Sequence, residues 1–473
     1  MSFSDLSGVS NKDLGETLLL YQIKDFLSIV NSDTENFRAI AKYMDSEGVT
    51  ANGIFYSLQT SREVSNAQHV AVGATNRVLT KGKSHTLQQY TVNSKQLEVA
   101  ATFDDDVLAR AKEAPESTVV DPVKMEMHNQ NINSEEMIAK SWWGDGTGVQ
   151  ATVASLTSGT PTNKATIVVY NQVAKRGTIR WIQKGQELHF VAANGTKLDF
   201  ECAATPAYYK VDSINLAANS FIITPYTSAD VATTITGNSG SNPVAAEARV
   251  HNAGDYAQQG SSYQDLSGTD INYDGGLYPV GLATHSANDG RKIGTLTLDS
   301  TIGGTRYTAS GSPSPDMILD LMRMLEDANG RGEFVYPSLD CSTKLYTYLL
   351  QADENAVVLQ PQQRARGGKV ITVAWGEGDT EFNRTRFCPD YIMYAAPMNG
   401  PRRGAFGEQQ APLQFKFSGF DFMTNPGNND IFFPKFISGE QVAAWVARMR
   451  SFYAFVCPHH PSLGSIAGFT VPT

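Results

Sequence analysis

Positive charge is in deficit along this chain. Its 473 residues include 38 Lys and Arg against 48 Asp and Glu, a formal net charge of -10. That balance argues against a protein whose main task is gripping nucleic acid, since such affinity rests on cations neutralising phosphates. Cysteine is scarce as well. Cys202, Cys341, Cys388 and Cys457 lie far apart with no Cys-x-x-Cys pair, so buried free thiols are expected rather than a disulfide framework or a metal site. The first residues, Met1-Ser2-Phe3-Ser4-Asp5, carry neither a basic nor an apolar signal region, and no secretory signal is expected. Apolar runs stay short of membrane-spanning length. The most apolar late stretch, from Val442 to Val456, is broken by Arg448 and Arg450, so the expected compartment is the cytosol, with no membrane partner.

Catalytic and ligand-binding signatures are equally thin. Gly82-Lys83-Ser84 ends like a phosphate-binding loop, but Arg77 stands where the first glycine belongs, and the segment reads as part of a hairpin. Asp270-Ile271-Asn272-Tyr273-Asp274-Gly275 matches half of a calcium loop. Gly281 occupies the position of the bidentate acid, so an Asx-stabilised turn is the simpler reading. Asp104, Asp105 and Asp106 are three acids in a row with no complementary ligand cluster; capping or a helix-dipole contact explains them. Cys457-Pro458-His459-His460 offers soft donors but too few of them. These readings leave no catalytic, cofactor-binding or metal-ligating residue, and no enzyme is expected.

What is present is material for strands. Hydrophobic residues at 41%, aromatics at 10% and 40 glycines describe a globular, loop-rich chain of two to four domains. Leu14, Leu18, Leu19, Ile23, Phe26, Leu27 and Val30 recur at helical spacing over residues 12 to 30, and Phe37, Ile40, Ala41 and Met44 suggest a second short helix. Ile54, Tyr56 and Leu58, then Tyr90 and Val92, alternate on either side of a long polar excursion, which predicts a large hairpin with no core of its own. Ordering it costs about 1–2 kcal/mol per residue in backbone entropy, so it is expected to lie on another surface, a neighbouring subunit above all. Leu97, Val99, Ala101 and Phe103 form a further strand.

Asp121-Pro122 opens a helix running to about Trp143, with Val123, Met127, Ile138 and Trp142 on one face. From Val149 to about Gly260 short strands recur, among them residues 167 to 170, 179 to 182, 187 to 190, 208 to 211 and 221 to 223. They suggest a small barrel or sandwich, with residues 236 to 242 an exposed loop. Ser314-Pro315-Asp316 caps a helix carrying Ile318, Leu321, Met322 and Leu325 on one face and ending near Gly330. Residues 340 to 351 read as another helix. Residues 334 to 336, 370 to 375, 391 to 395, 450 to 457 and 466 to 471 read as strands.

The order of these parts resembles the major capsid proteins of tailed bacteriophages, the Hong Kong-type shell fold. The residues that carry the resemblance are Tyr90 to Ala111, Glu135 to Gly148 with its Gly144-Asp145-Gly146-Thr147-Gly148 turn, Leu277 to Leu282, Pro315 to Tyr348 and Phe452 to Phe469. The resemblance implies an α+β chain divided into an N-terminal arm (1–48), an extended hairpin loop (49–96) and a peripheral domain with a spine helix (97–148). After these come an axial domain (261–400) and a return to the peripheral domain (401–473). The block at 149–260 departs from a minimal member and is expected to be an inserted β-domain. Implied partners are other copies of the chain in hexamers and pentamers, a portal, scaffolding or decoration proteins, and double-stranded DNA enclosed without sequence reading. The implied place is the virion capsid, assembled in a host cytoplasm. A β-rich tail component or adhesin is the alternative.

Charge distribution suggests how copies meet. Residues 49 to 96 carry Arg62, Arg77, Lys81, Lys83 and Lys95 against Glu63, a net +4, whereas residues 1 to 48 sum to -4 and 104 to 140 to -5. Those five bases, with Asp104, Asp105 and Asp106, are the candidate contacts between subunits. Exposed pairs contribute about 0–1 kcal/mol each, so they would set register and encounter rate while apolar burial supplies affinity.

Overall fold

Alternation of apolar and polar residues builds two sheets and a barrel in the computed structural model. It describes residues 44–45, 53–61, 86–104, 122–158, 164–170, 177–193, 195–238, 241–255, 276–328, 334–337, 341, 345, 370–375, 378–383, 388–389, 392–395, 413–418, 421–423, 432–437 and 440–469. The strand Lys95–Asp104 buries Ala101 and Phe103 on one face and lies antiparallel to Glu440–Val456 along its whole length. Glu440–Val456 is 17 residues long and organises a six-stranded sheet, pairing also with Gln414–Phe417, Asp421–Phe422 and Phe432–Ile437. Met44–Asp45 joins this sheet parallel to Gln414–Phe417. The helical spacing expected through Met44 therefore stops short of it: an extended pairing with Phe415 wins there. The helix predicted for residues 12 to 30 lies outside the described residues.

The helix Pro122–Trp143 covers this sheet. Pro122 is its first residue, where a missing N–H costs nothing. Ile138, Ala139, Trp142 and Trp143 are buried at its C-terminal end against Phe415, Tyr453 and Phe455. The Trp142 ring meets Phe455 edge-on with centroids 5.1 Å apart, the arrangement that ring quadrupoles favour.

A second six-stranded sheet runs in the order Thr305–Gly311, Gly464–Phe469, Met393–Ala395, Phe334–Pro337, Gly378–Asn383, Val370–Trp375. Its first two strands are parallel. The helix Pro315–Asp327 lays Ile318, Leu321, Met322 and Leu325 on it, the face read from the sequence. Ser314 has the extended backbone of a cap but its side chain makes no capping bond, and Pro315 removes one of the N–H groups that would need a partner. Of the helix expected at 340 to 351, only Cys341 and Leu345 are described, both buried.

Between the helix and the second sheet the chain forms a closed ring. Tyr208–Asn215, Ser220–Tyr226, Ala165–Val169, Ala151–Ser158, Arg249–Asn252 and Glu187–Val191 pair antiparallel in that order, and Tyr209 opposite Leu188 joins the last strand to the first. Of the barrel and sandwich expected from the sequence, the ring is a six-stranded barrel. Its interior holds Ile167, Leu188, Phe190, Tyr209, Val211, Phe221, Ile223 and Val250. One expected strand is corrected. Ile179–Trp181 is a 3-10 turn, because Gly177 at φ +74 breaks the extension and the Thr178 side chain accepts the Arg180 N–H as a cap. Trp181 leaves the barrel and packs with Trp142 and Trp143 in the sheet-and-helix core. The loop expected at 236 to 242 begins as the strand Ile235–Gly237, paired with Glu201–Cys202.

The predicted hairpin exists as Ile54–Ser61 paired with Thr86–Val92 in a two-stranded sheet. The expectation that it has no core within its own chain fails at its base. Ile54, Tyr90 and Val92 are buried in a cluster with Val280, Ile293, Leu296, Leu298, Ala454 and Val456. The alternation at 90 and 92 is what seats them there, and no sequence signal pairs it with residues two hundred positions away.

Candidate functional site

Two places on the main body gather the chemistry. The first is the joint where the barrel leaves and returns. The long helix ends at Trp143, and Gly144 to Gly148 turn the chain outward, with the Asp145 carboxylate accepting the Thr147 N–H and hydroxyl. The returning segment passes alongside. A side chain at Gly281 would meet the Ser141 carbonyl oxygen at 2.2 Å and that of Trp142 at 2.5 Å, so the return packs on the helix's carbonyl end. Gly148, at φ +74, lies flat under the Tyr278 ring. Thr284 then donates its hydroxyl to the Asp145 carbonyl at 3.0 Å. Departing and returning strands thus meet at one spot on the body.

A polar knot ties barrel to body there. Tyr278 donates to Asp255 Oδ2 at 2.7 Å and accepts from Asn252 Nδ2 at 2.8 Å, close to the Met137 sulfur. Burial raises the Asp255 carboxyl from its ordinary value to about 6, opposed by the bonds from Tyr278 and Asn252.

The second place lies beneath the hairpin base. The short helix Leu282–His285 brings the His285 ring to His460, with Nδ1 and Nε2 3.1 Å apart. His285 Nε2 lies 3.1 Å from the Phe455 carbonyl oxygen. Cys457 Sγ completes a buried trio in which one donor atom from each residue lies within 4.8 Å of the others. Tyr90 roofs it: its hydroxyl donates to the Cys457 carbonyl at 2.6 Å and its ring leans on His460.

A thiol beside imidazoles raises the question of nucleophilic catalysis, and the electrostatics answer against it. Burial pushes the Cys457 thiol up, while a His459 backbone N–H opposes this. Burial pulls His285 down to about 4 and His460 well below its usual range. All three stay neutral near pH 7, whereas an attacking cysteine needs its thiolate.

Of the residues singled out from the sequence, the structure places few. Arg62, Arg77, Lys81, Lys83, Asp105 and Asp106 lie outside the described residues, as do the half calcium loop and the phosphate-loop tail. Lys95 starts the strand opposite Tyr453, so it belongs to the sheet rather than to the hairpin shaft. Asp104 is the last residue of that strand, opposite Ala444. All four cysteines are free, but Cys202 is only half-buried. Sequence reasoning set Cys457 and His460 aside for want of ligands. It missed His285, which no local spacing connects to them. Among the described residues no helix is long and apolar enough to cross a membrane.

No protein-family model and no curated protein matches the chain. Among solved structures, it is similar to the capsid of Myoviridae phage XM1 at 8% identity, covering 90% of this chain and 88% of that one, with a TM-score of 0.36. The satellite phage P4 procapsid including its size determination protein gives 8% identity, 96% and 100% coverage and a TM-score of 0.34. The cyanophage A-1(L) capsid asymmetric unit gives 11% identity, 93% coverage of both chains and a TM-score of 0.38. Values this low leave the functional reading to the chain's own geometry.

Proposed function

We propose that the chain is a shell-forming subunit, the major capsid protein of a tailed phage, which self-assembles into hexamers and pentamers enclosing double-stranded DNA. The observation that carries this reading is the hairpin. Its base is anchored in the body by Ile54, Tyr90 and Val92, yet beyond the base the described strands Ile54–Ser61 and Thr86–Val92 pair only with each other. Phe55 is 66% exposed on it. A lone two-stranded ribbon is marginal in water, so an arm of this kind is completed by a surface of another copy. Such an arm on a rigid body suits identical copies placed in closed, quasi-equivalent rings.

The rest of the architecture agrees. The body is a long helix on a sheet organised by one 17-residue strand, with a second sheet continuous in sequence through Gly464–Phe469. In the shell reading the first is the peripheral domain and the second the axial domain. The barrel, which leaves and returns at one joint, is an insertion displayed on the subunit and open to a decoration protein. Residues 1 to 48 are an arm that is tied to the body through Met44–Asp45. The acidic surfaces of arm and spine receive the basic loop, with Arg62, Arg77, Lys81 and Lys83 facing Asp104, Asp105 and Asp106 of a neighbour, while Lys95 stays in the body sheet. A portal and a scaffold are further partners, and the place is the virion, assembled in the host cytoplasm.

Negative-stain microscopy of the expressed full chain tests this. Hollow closed particles are expected; trimeric fibres would favour a tail component, and a permanent monomer would remove the shell reading. Lys81→Glu with Lys83→Glu is expected to slow assembly at low salt and to matter less at high salt. Unchanged light-scattering kinetics would dispose of the electrostatic part alone.

A further inference from the structure

Three soft donors converge in the dry interior beneath the hairpin. His285, Cys457 and His460 are fully buried, and their donor atoms lie within 4.8 Å of one another. The two imidazole nitrogens, at 3.1 Å, are already near the separation of about 3.3 Å that two nitrogens adopt on one tetrahedral zinc. We propose that His285 Nδ1, Cys457 Sγ and His460 Nε2 bind a single zinc ion.

The surroundings fit a metal better than an ordinary core. His285 Nε2 faces the Phe455 carbonyl, the outer hydrogen bond that fixes the tautomer of a ligating histidine so that the other nitrogen points at the ion. The backbone N–H of His459 is hydrogen-bonded to the Cys457 sulfur. His460 Nδ1 is buried with no hydrogen-bond partner among the described residues. As a core residue, a histidine satisfied on neither nitrogen except by another neutral imidazole is costly; as a ligand its Nε2 gains a strong bond. A backbone hydrogen bond to Val280 also helps to hold the His285 ring. Binding exchanges the thiol proton for the metal–sulfur bond: zinc(II) and Cys–SH give zinc-bound thiolate and one released proton. Thiolate with imidazole selects thiophilic ions over magnesium or calcium.

Such an ion would rivet the end of Glu440–Val456 and the turn His460–Ser462 to the helix Leu282–His285, directly under Tyr90. It would therefore hold the floor on which the hairpin base sits.

The test uses the full chain, expressed with zinc or with cobalt in the medium and dialysed into metal-free buffer. Plasma mass spectrometry is expected to give about one zinc per chain. The cobalt form is expected to show a thiolate-to-cobalt charge-transfer band in the near ultraviolet, lost in Cys457→Ser and kept in Cys388→Ser, whose thiol is buried outside the trio. Folded wild-type protein with no zinc above background and no such band overturns the site. A band that persists in Cys457→Ser also overturns it. If Cys457→Ser does not fold, the wild-type band and a tenfold loss of bound zinc in His285→Gln decide instead.

Discussion

The Tyr90 hydroxyl donates to the Cys457 carbonyl oxygen at 2.6 Å, joining residues 367 positions apart in sequence. One end of this bond is in the hairpin and the other is at the exit of the longest strand. Tyr90→Phe keeps the ring in its cluster and removes only the donor. The expected cost is about 1–3 kcal/mol for a buried carbonyl deprived of it. Chemical denaturation of the unassembled chain measures that cost, and hydrogen exchange in Thr86–Val92 should accelerate. Unaltered exchange there would mean that the bond does not hold the hairpin.

Gly281 is among the tightest points of the joint. A methyl group there would press on three backbone oxygens, those of Ser141, Trp142 and Gly144, at 2.2 to 2.7 Å. Backbone cannot yield as a side-chain tip can, so Gly281→Ala should part the returning segment from the helix end. A loss well above the roughly 1 kcal/mol of an average substitution is expected, read as insoluble expression or a large drop in denaturation midpoint. Gly185→Ala, at φ +84 with open space around it, is the comparison; it should cost only its backbone strain.

Asp255 gives the joint a dependence on acidity. Burial lifts its carboxyl to about 6 from 3.8, against the bonds from Tyr278 and Asn252, and Tyr453 also feels its charge. Between about pH 4 and pH 6 the folded chain keeps a proton that the unfolded chain has released, so stability falls as pH rises through that window. Above about pH 6 this contribution stays constant. Asp255→Asn should flatten the slope, by an amount on the order of 1–2 kcal/mol once partial exposure is discounted. Urea midpoints across the window compare the two proteins, and equal slopes would show that Asp255 is not the titrating group.

Local patterns in the sequence carried over well into local structure. Period-two alternation located Ile54–Ser61, Thr86–Val92 and Lys95–Asp104, and the 3.6-residue stripe located the buried face of Pro315–Asp327. Failures came where a distant partner or one backbone angle decides. Ile179–Trp181 has strand-forming side chains, but Gly177 and Thr178 impose a turn. Met44 has helical spacing, but Phe415 offers it a sheet. The His285, Cys457 and His460 trio was hidden for the same reason: its donors come from a four-residue helix and a strand exit that meet only in three dimensions. Neither charge pattern nor motif spacing encodes such a meeting.

The ring of six strands from Ala151 to Asn252 has its last pairing at Tyr209 and Leu188. An open sheet of that size would carry two rows of unsatisfied amides, ready to template fibrous stacking wherever newly made copies crowd together. Closure pairs the two edges at Tyr209 and Lys210 with Leu188 and Glu187 and so shortens both rows. The barrel thereby offers little free edge, whereas the ribbon of Ile54–Ser61 and Thr86–Val92 pairs with no third strand among the described residues.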